Sequence, residues 1–192
     1  MVVERARAVI DRLGEERQRF VEWVRSVPDS EWPGASPEGA WQGRDYVAHL
    51  ASIDPLLTGL MRIFQNEGTV PSGSDGRPFS IDDWNEKQIL ERRTRPIESL
   101  LTDMAQHRVE LNAAIADFTD EQLDRTFHYG GDNKRSPREL AVAQFLTALV
   151  HHDRWHMEDA RRAMAGEAEQ AFGDAAFEQM LQGEAGGSGV AR

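Results

Sequence analysis

The sequence predicts an all-α protein, a four-helix bundle with a long connection between helices two and three. Three features carry that expectation. Apolar residues recur in steps of three and four over four long stretches, the period of a helix with one buried face. Helix-opening residues, a capping hydroxyl or a proline, stand ahead of the later stretches. Strand signals are nearly absent, and only residues 125–129 can extend, briefly.

The first stretch runs over residues 2–26. Val3, Ala6, Val9, Ile10, Leu13, Phe20 and Val24 share one stripe, while Glu4, Arg5, Asp11, Arg12, Glu15, Glu16 and Arg19 take the other face. Val27-Pro28 ends it, because a residue before proline is driven out of the helical region. Residues 28–42 hold three prolines, two glycines and two tryptophans, and read as a loop whose aromatics fold back on the core. The second helix is expected from Arg44 to Asn66, with Val47, Leu50, Ile53, Leu57, Leu60, Met61 and Phe64 on its apolar side.

Residues 66–80, fifteen in all, are long for a plain connection and read as a mobile crossover or a lid. Ser80 then caps a short helix to about Arg93, with Asp82 and Asp83 favourable in its first turn. Pro96 opens the third long helix, whose Ile97, Leu100, Leu101, Met104, Arg108, Leu111, Ile115 and Phe118 keep the helical step. Two capping boxes follow. Thr119-Asp120-Glu121-Gln122 is the first. Ser136-Pro137-Arg138-Glu139 is the fuller one, and it predicts a last bundle helix from there to about Met164. A weaker helix over Glu167–Leu181 and a flexible tail complete the chain, so residues 1–165 form the bundle and 166–192 an appendage.

Composition narrows the chemistry. The 192 residues contain 22 Lys+Arg against 33 Asp+Glu, a net charge of −11, which disfavours a surface that tracks phosphates. No cysteine is present, which excludes disulfides, iron–sulfur clusters, thiolate zinc sites and a cysteine nucleophile. No apolar run approaches the ~20 residues of a bilayer span, and the start MVVERARAVIDR lacks a signal's apolar core. A soluble, cytoplasmic protein is expected.

The sharpest feature lies in the last bundle helix, at His151-His152-Asp153-Arg154-Trp155-His156. Helix positions i and i+4 share a face with Cβ atoms ~5–6 Å apart, so His152 and His156 can converge on one ion while His151 diverges. Both lie on the stripe Phe145, Leu149, His152, His156, Ala160. His49 lies on the stripe His49, Ile53, Leu56, Leu60, Ile63 of helix two and can face the same interior. Taken singly, His49 also reads as a core or cap histidine, and the HxxxH spacing as coincidence. Together, three neutral imidazoles are a common catalytic metal set, suited to zinc, nickel, iron or copper with positions left open.

The run Trp41-Gln42-Gly43-Arg44-Asp45-Tyr46-Val47-Ala48-His49-Leu50-Ala51 resembles the helix-two signature of the DinB superfamily, which includes the metal-binding domain of mycothiol-dependent maleylpyruvate isomerases. Asp83-Trp84-Asn85-Glu86 through Leu123 is similar to the stretch that follows there, and the histidines of the last helix match the second and third ligand positions. The similarity covers roughly residues 5–163. It implies the DinB-like bundle and one divalent metal ion, zinc or nickel before iron, on His49, His152 and His156. It also implies a thiol S-transferase or isomerase that uses a low-molecular-weight thiol on a small molecule, in a homodimer. The alternative is a non-catalytic small-molecule-binding or stress-response bundle. Two departures from the family pattern are Gln42 at the cap and Met157, Glu158 and Asp159 after the last histidine.

No residue is assigned a catalytic role. Asp45, four residues before His49, and Asn85 are the candidates for supporting the metal or lining its pocket. Asp153 and Arg154 are expected to face solvent or pair locally, and Trp41, Trp84 and Trp155 to pack in the core or at the rim. His107 falls beside its helix's stripe and Arg108 within it. His128 precedes a Gly130-Gly131 turn, and Ser72, Gly73 and Ser74 lack the context of a nucleophile or phosphate loop.

Overall fold

The computed structural model describes residues 2–32, 40–66, 80–131, 135–171 and 173–183. Helix α1 spans Glu4–Ser26, α2 Gly43–Asn66, α3 Ile81–Arg92 and α4 Ile97–Ala116. After the short α5, Asp120–Asp124, come strands β1, Thr126–Tyr129, and β2, Arg138–Ala141. Helices α6, Val142–Val150, α7, His152–Met164, and α8, Asp174–Leu181, follow. The bundle is built from α1, α2, α4 and the α6–α7 pair, with α3 laid on α2 and α8 on α6. The expected lid at 66–80 and the flexible tail fall almost wholly outside the described residues.

Local chemistry sets most boundaries. Val27, ahead of Pro28, is extended and ends α1. Ser80 Oγ accepts the Asp83 N–H to open α3. Thr119 and Gln122 close a full capping box on α5. Pro96 serves as the cap of α4 rather than as its first residue. Past α7, Gly166 takes φ +74°, its N–H bonds Ala163 O, and the Glu167 N–H bonds Arg162 O. That Schellman turn reverses the chain along α7.

Helix α2 carries Pro55 in its interior. Proline has no N–H, so the Ala51 carbonyl four residues earlier loses its helical donor. His107 of α4 supplies the missing bond, donating from Nδ1 to Ala51 O at 3.2 Å. The same helix is long and apolar enough to cross a membrane by composition, contrary to the reading of its sequence, yet 67% of its most apolar window is buried in the bundle. That burial is the burial of a core helix.

One expectation is overturned. Ser136-Pro137-Arg138-Glu139 does not open a helix; residues 138–141 form β2, antiparallel to β1 with Phe127 opposite Leu140. The reason lies in what these residues bind. The Ser136 N–H and hydroxyl donate to the Asp174 carboxylate at 2.8 and 2.7 Å, and Arg138 pairs with Asp174 and Glu178 of α8. Phe127 and Leu140 are buried, with Phe127 stacked 4.2 Å from Phe64. Gly131 makes the turn at φ +74°, where an added Cβ would lie 2.6 Å from Arg135 O. The helix starts five residues late, with Gln144 Oε1 accepting the Ala141 N–H, and it breaks once at His151. The appended helix α8 is likewise shorter than the stretch 167–181.

A second expectation also fails. Asp153 does not face solvent: it is 2% exposed at the centre of the bundle, while Arg154 is exposed. Asp153 accepts Arg17 Nε at 2.6 Å and Nη2 at 3.1 Å, and Arg108 Nη2 at 3.3 Å. Asp54 accepts Arg108 Nε at 2.8 Å and Nη2 at 3.1 Å, and Arg17 Nη2 at 3.4 Å. Each of α1, α2, α4 and α7 contributes one charge to a buried neutral quartet, with Arg108 Nη1 also donating to Leu13 O. Such groups lose hydration on burial, so they fit the core only as a closed set.

Candidate metal centre

The centre forms where the start of α2 crosses α7. Gly43 permits the approach, since a Cβ there would come within 2.5 Å of Met164 Cγ. Two turns on, His49 faces His152 and His156, which share one side of α7. Ring centroids stand 4.6 Å apart for His49–His156, 5.3 Å for His49–His152 and 4.5 Å for His152–His156. One nitrogen of each ring lies within 4.8 Å of the other two. His49 Nε2 and His152 Nε2 are 3.5 Å apart. Metal–nitrogen bonds of ~2.0–2.1 Å at tetrahedral angles would place two donors about 3.4 Å apart, so this edge suits an ion.

The electrostatics agree. Burial, reinforced by the neighbouring His152 ring, holds the His49 imidazole well below the usual histidine range, so it is neutral and offers a lone pair. The outer nitrogens face oxygens. His152 Nδ1 lies 3.8 Å from Asp153 Oδ1, and His156 Nδ1 lies 4.0 Å from Asp159 Oδ2. Asn85, buried on α3, reaches the His49 ring and favours its protonated form. Among the described residues His49 Nδ1 and Asn85 Oδ1 are both buried without a hydrogen-bond partner of standard geometry, and they are complementary as donor and acceptor. At 3.8 and 4.0 Å the two carboxylate oxygens lie beyond hydrogen-bond length, yet their charge favours a proton on the ring nitrogen they face, as outer-face partners of ligating histidines do.

Burial would raise the Asp153 carboxyl, but Arg17 and Arg108 beside it hold it well below the usual carboxylate range. Asp159 shifts the other way: burial pushes it up against two hydrogen bonds from Gln170. An aromatic wall closes the other side. The Trp41 ring lies 5.2 Å from His49 and 6.3 Å from His156, and the Tyr46 ring 5.8 Å from His156. Burial, then Glu169, pushes the Tyr46 hydroxyl far up, and it donates to Glu169 Oε1 at 2.9 Å.

Other nominated residues lie elsewhere. Asp45 takes a bidentate pair from Arg93 at 3.1 and 2.9 Å and the Gln42 N–H at 3.0 Å, so its carboxylate ties the start of α2 to the end of α3. His151 turns towards α1, with Arg12 Nη2 3.4 Å from its Nε2. His128 pairs across the hairpin with Glu139. Trp84 and Trp155 are half-buried against the core. Ser72, Gly73 and Ser74 lie outside the described residues. Sequence reasoning missed Asp159, Glu169, Gln170 and the charge quartet. The quartet had a signal: Arg17 between Leu13 and Phe20, and Asp54 between Leu50 and Leu57, both occupy core steps.

Comparison with known proteins adds a family and a fold. The family model described as "Mycothiol maleylpyruvate isomerase N-terminal domain" matches residues 13–154, which include His49 and His152 and stop two residues short of His156. A solved structure titled "YfiT from Bacillus subtilis is a probable metal-dependent hydrolase with an unusual four-helix bundle topology" aligns with a TM-score of 0.62 at 22% identity, covering 86% of this chain and 90% of that one. No curated protein matches the chain significantly.

Proposed function

Because the chain belongs to the mycothiol maleylpyruvate isomerase N-terminal domain family, within the DinB-like superfamily, we propose that it is a metal-dependent enzyme whose divalent ion sits on His49, His152 and His156. The reaction is thiol S-transfer or thiol-assisted isomerisation of a small molecule, with a low-molecular-weight thiol as co-substrate. The observation that carries the reading is the convergence of three ring nitrogens from α2 and α7. An all-nitrogen donor set suits zinc or nickel before iron, and three protein ligands leave room for an incoming group.

A divalent ion held there supplies a Lewis acid that favours the thiolate form of a bound thiol near neutral pH. The chain's own residues prepare the place. His49 stays neutral through burial. Asp153 and Asp159 present carboxyl oxygens behind His152 and His156. Trp41 and Tyr46 shield one side from water. The sulfur must come from a co-substrate, since the chain has no cysteine.

The test offers cysteine-derived thiols and a chromogenic electrophile to metal-loaded and metal-stripped protein. Turnover restored by metal supports the enzyme. Thiol binding without turnover supports the non-catalytic module instead.

A further inference from the structure

The chain beyond α7 does more than lead to α8. After the turn at Gly166 it runs back along α7, where Arg162 Nε holds Ala168 O at 2.7 Å and Tyr46 donates to Glu169. The next residue, Gln170, makes three bonds. Its backbone N–H and its Nε2 donate to Asp159 Oδ1 at 2.9 and 3.1 Å, and Nε2 also donates to Trp155 O at 3.2 Å. Both hydrogens of the amide are therefore used, and the amide is fixed relative to α7. Asp159 is buried, and with Oδ1 held twice its other oxygen stays turned to His156 Nδ1.

We propose that Gln170 is a positioning residue for the metal site, acting through Asp159 on His156, an inference that rests on the metal reading above. The link from Gln170 to Asp159 to His156 sets which ring nitrogen carries the proton and which is left for the ion. All three residues lie beyond the stretch matched by the family model, so this support is supplied by the chain's own C-terminal segment.

Zinc affinity, read by competition with a chromogenic chelator on the full chain, decides the matter. Asp159→Ala should weaken zinc binding about 10–100-fold, the range for loss of an outer-face partner. Gln170→Ala should weaken it by a smaller factor, roughly 3–10-fold, and the double variant should match Asp159→Ala alone. Asp159→Asn replaces Asp159→Ala if the latter does not fold. The absorption bands of the cobalt-loaded protein should shift in Gln170→Ala as well. Unchanged zinc affinity in Gln170→Ala, with or without a lower melting temperature, overturns the inference and leaves the metal site standing. Losses that add in the double variant overturn it too. Wild-type protein that binds no zinc, nickel or iron overturns the metal reading and this inference together.

Discussion

Arg17 and Asp153 meet as a fork in the middle of the bundle, guanidinium nitrogens 2.6 and 3.1 Å from the two carboxylate oxygens, α1 bound to α7. Asp153 is also the residue after His152, and its Oδ1 stands 3.8 Å from that ring. One turn of α7 thus carries both the charge that closes the core and a candidate metal ligand.

Removing one member of the quartet strands its partners. Arg17→Met leaves Asp153 with Arg108 as its remaining cation and should lower stability by about 3–5 kcal/mol, the range for a broken buried pair. Arg17→Met combined with Asp153→Leu leaves Arg108 and Asp54 paired and should recover much of that loss. Urea unfolding measures both. A loss below about 1 kcal/mol in the single variant, the range of exposed pairs, contradicts the account.

His107 and Pro55 are coupled through a carbonyl that neither owns. His107→Ala should cost about 1–3 kcal/mol, because Ala51 O is left without a donor. In the Pro55→Ala background the new N–H can take that carbonyl, so the same change should cost less. A double-mutant cycle with no coupling rules the relationship out.

Acid should destabilise the metal-free protein in two stages. An unfolded histidine titrates near 6.5, and His49 in the fold well below it, so between those values the unfolded chain holds more protons and stability rises with pH. Stability therefore falls as the pH drops below about 6.5. Asp153 is held below the carboxylate range, so its contribution is present above the ordinary carboxylate value and lost only as the pH falls beneath it. Urea midpoints from pH 8 to pH 5 test the first stage. A His49→Phe variant should show a flatter dependence; an identical slope contradicts the assignment.

The hairpin turn needs its glycine. Gly131→Ala places a side chain at φ +74° and against Arg135 O, so it should cost more than the ~1–2 kcal/mol of the left-handed backbone alone. A neutral effect on the melting temperature contradicts that geometry.

What could be read from the chain divides along physical lines. Helices α1 to α4 announced themselves because period, caps and prolines are local, and Ser80 and Thr119 act within three residues of themselves. His49, His152 and His156 were legible because helical spacing fixes which side chains share a face. Ser136 and Arg138 misled because their partners, Asp174 and Glu178, lie 36 or more residues away and outcompete the local cap. Asp45 shares a helix face with His49, but its carboxylate is taken by Arg93 at the end of α3 and by the Gln42 N–H. Gln170 has no local signature at all: its meaning depends on a chain reversal at Gly166.

Metal content of the purified protein bears most directly on the central claim. The account predicts about one divalent ion per chain by elemental analysis, retained through dialysis and lost in His49→Ala and in His156→Ala while both variants stay helical. An empty wild-type protein that takes up no zinc, nickel or iron on addition, or equal occupancy in the histidine variants, would contradict it.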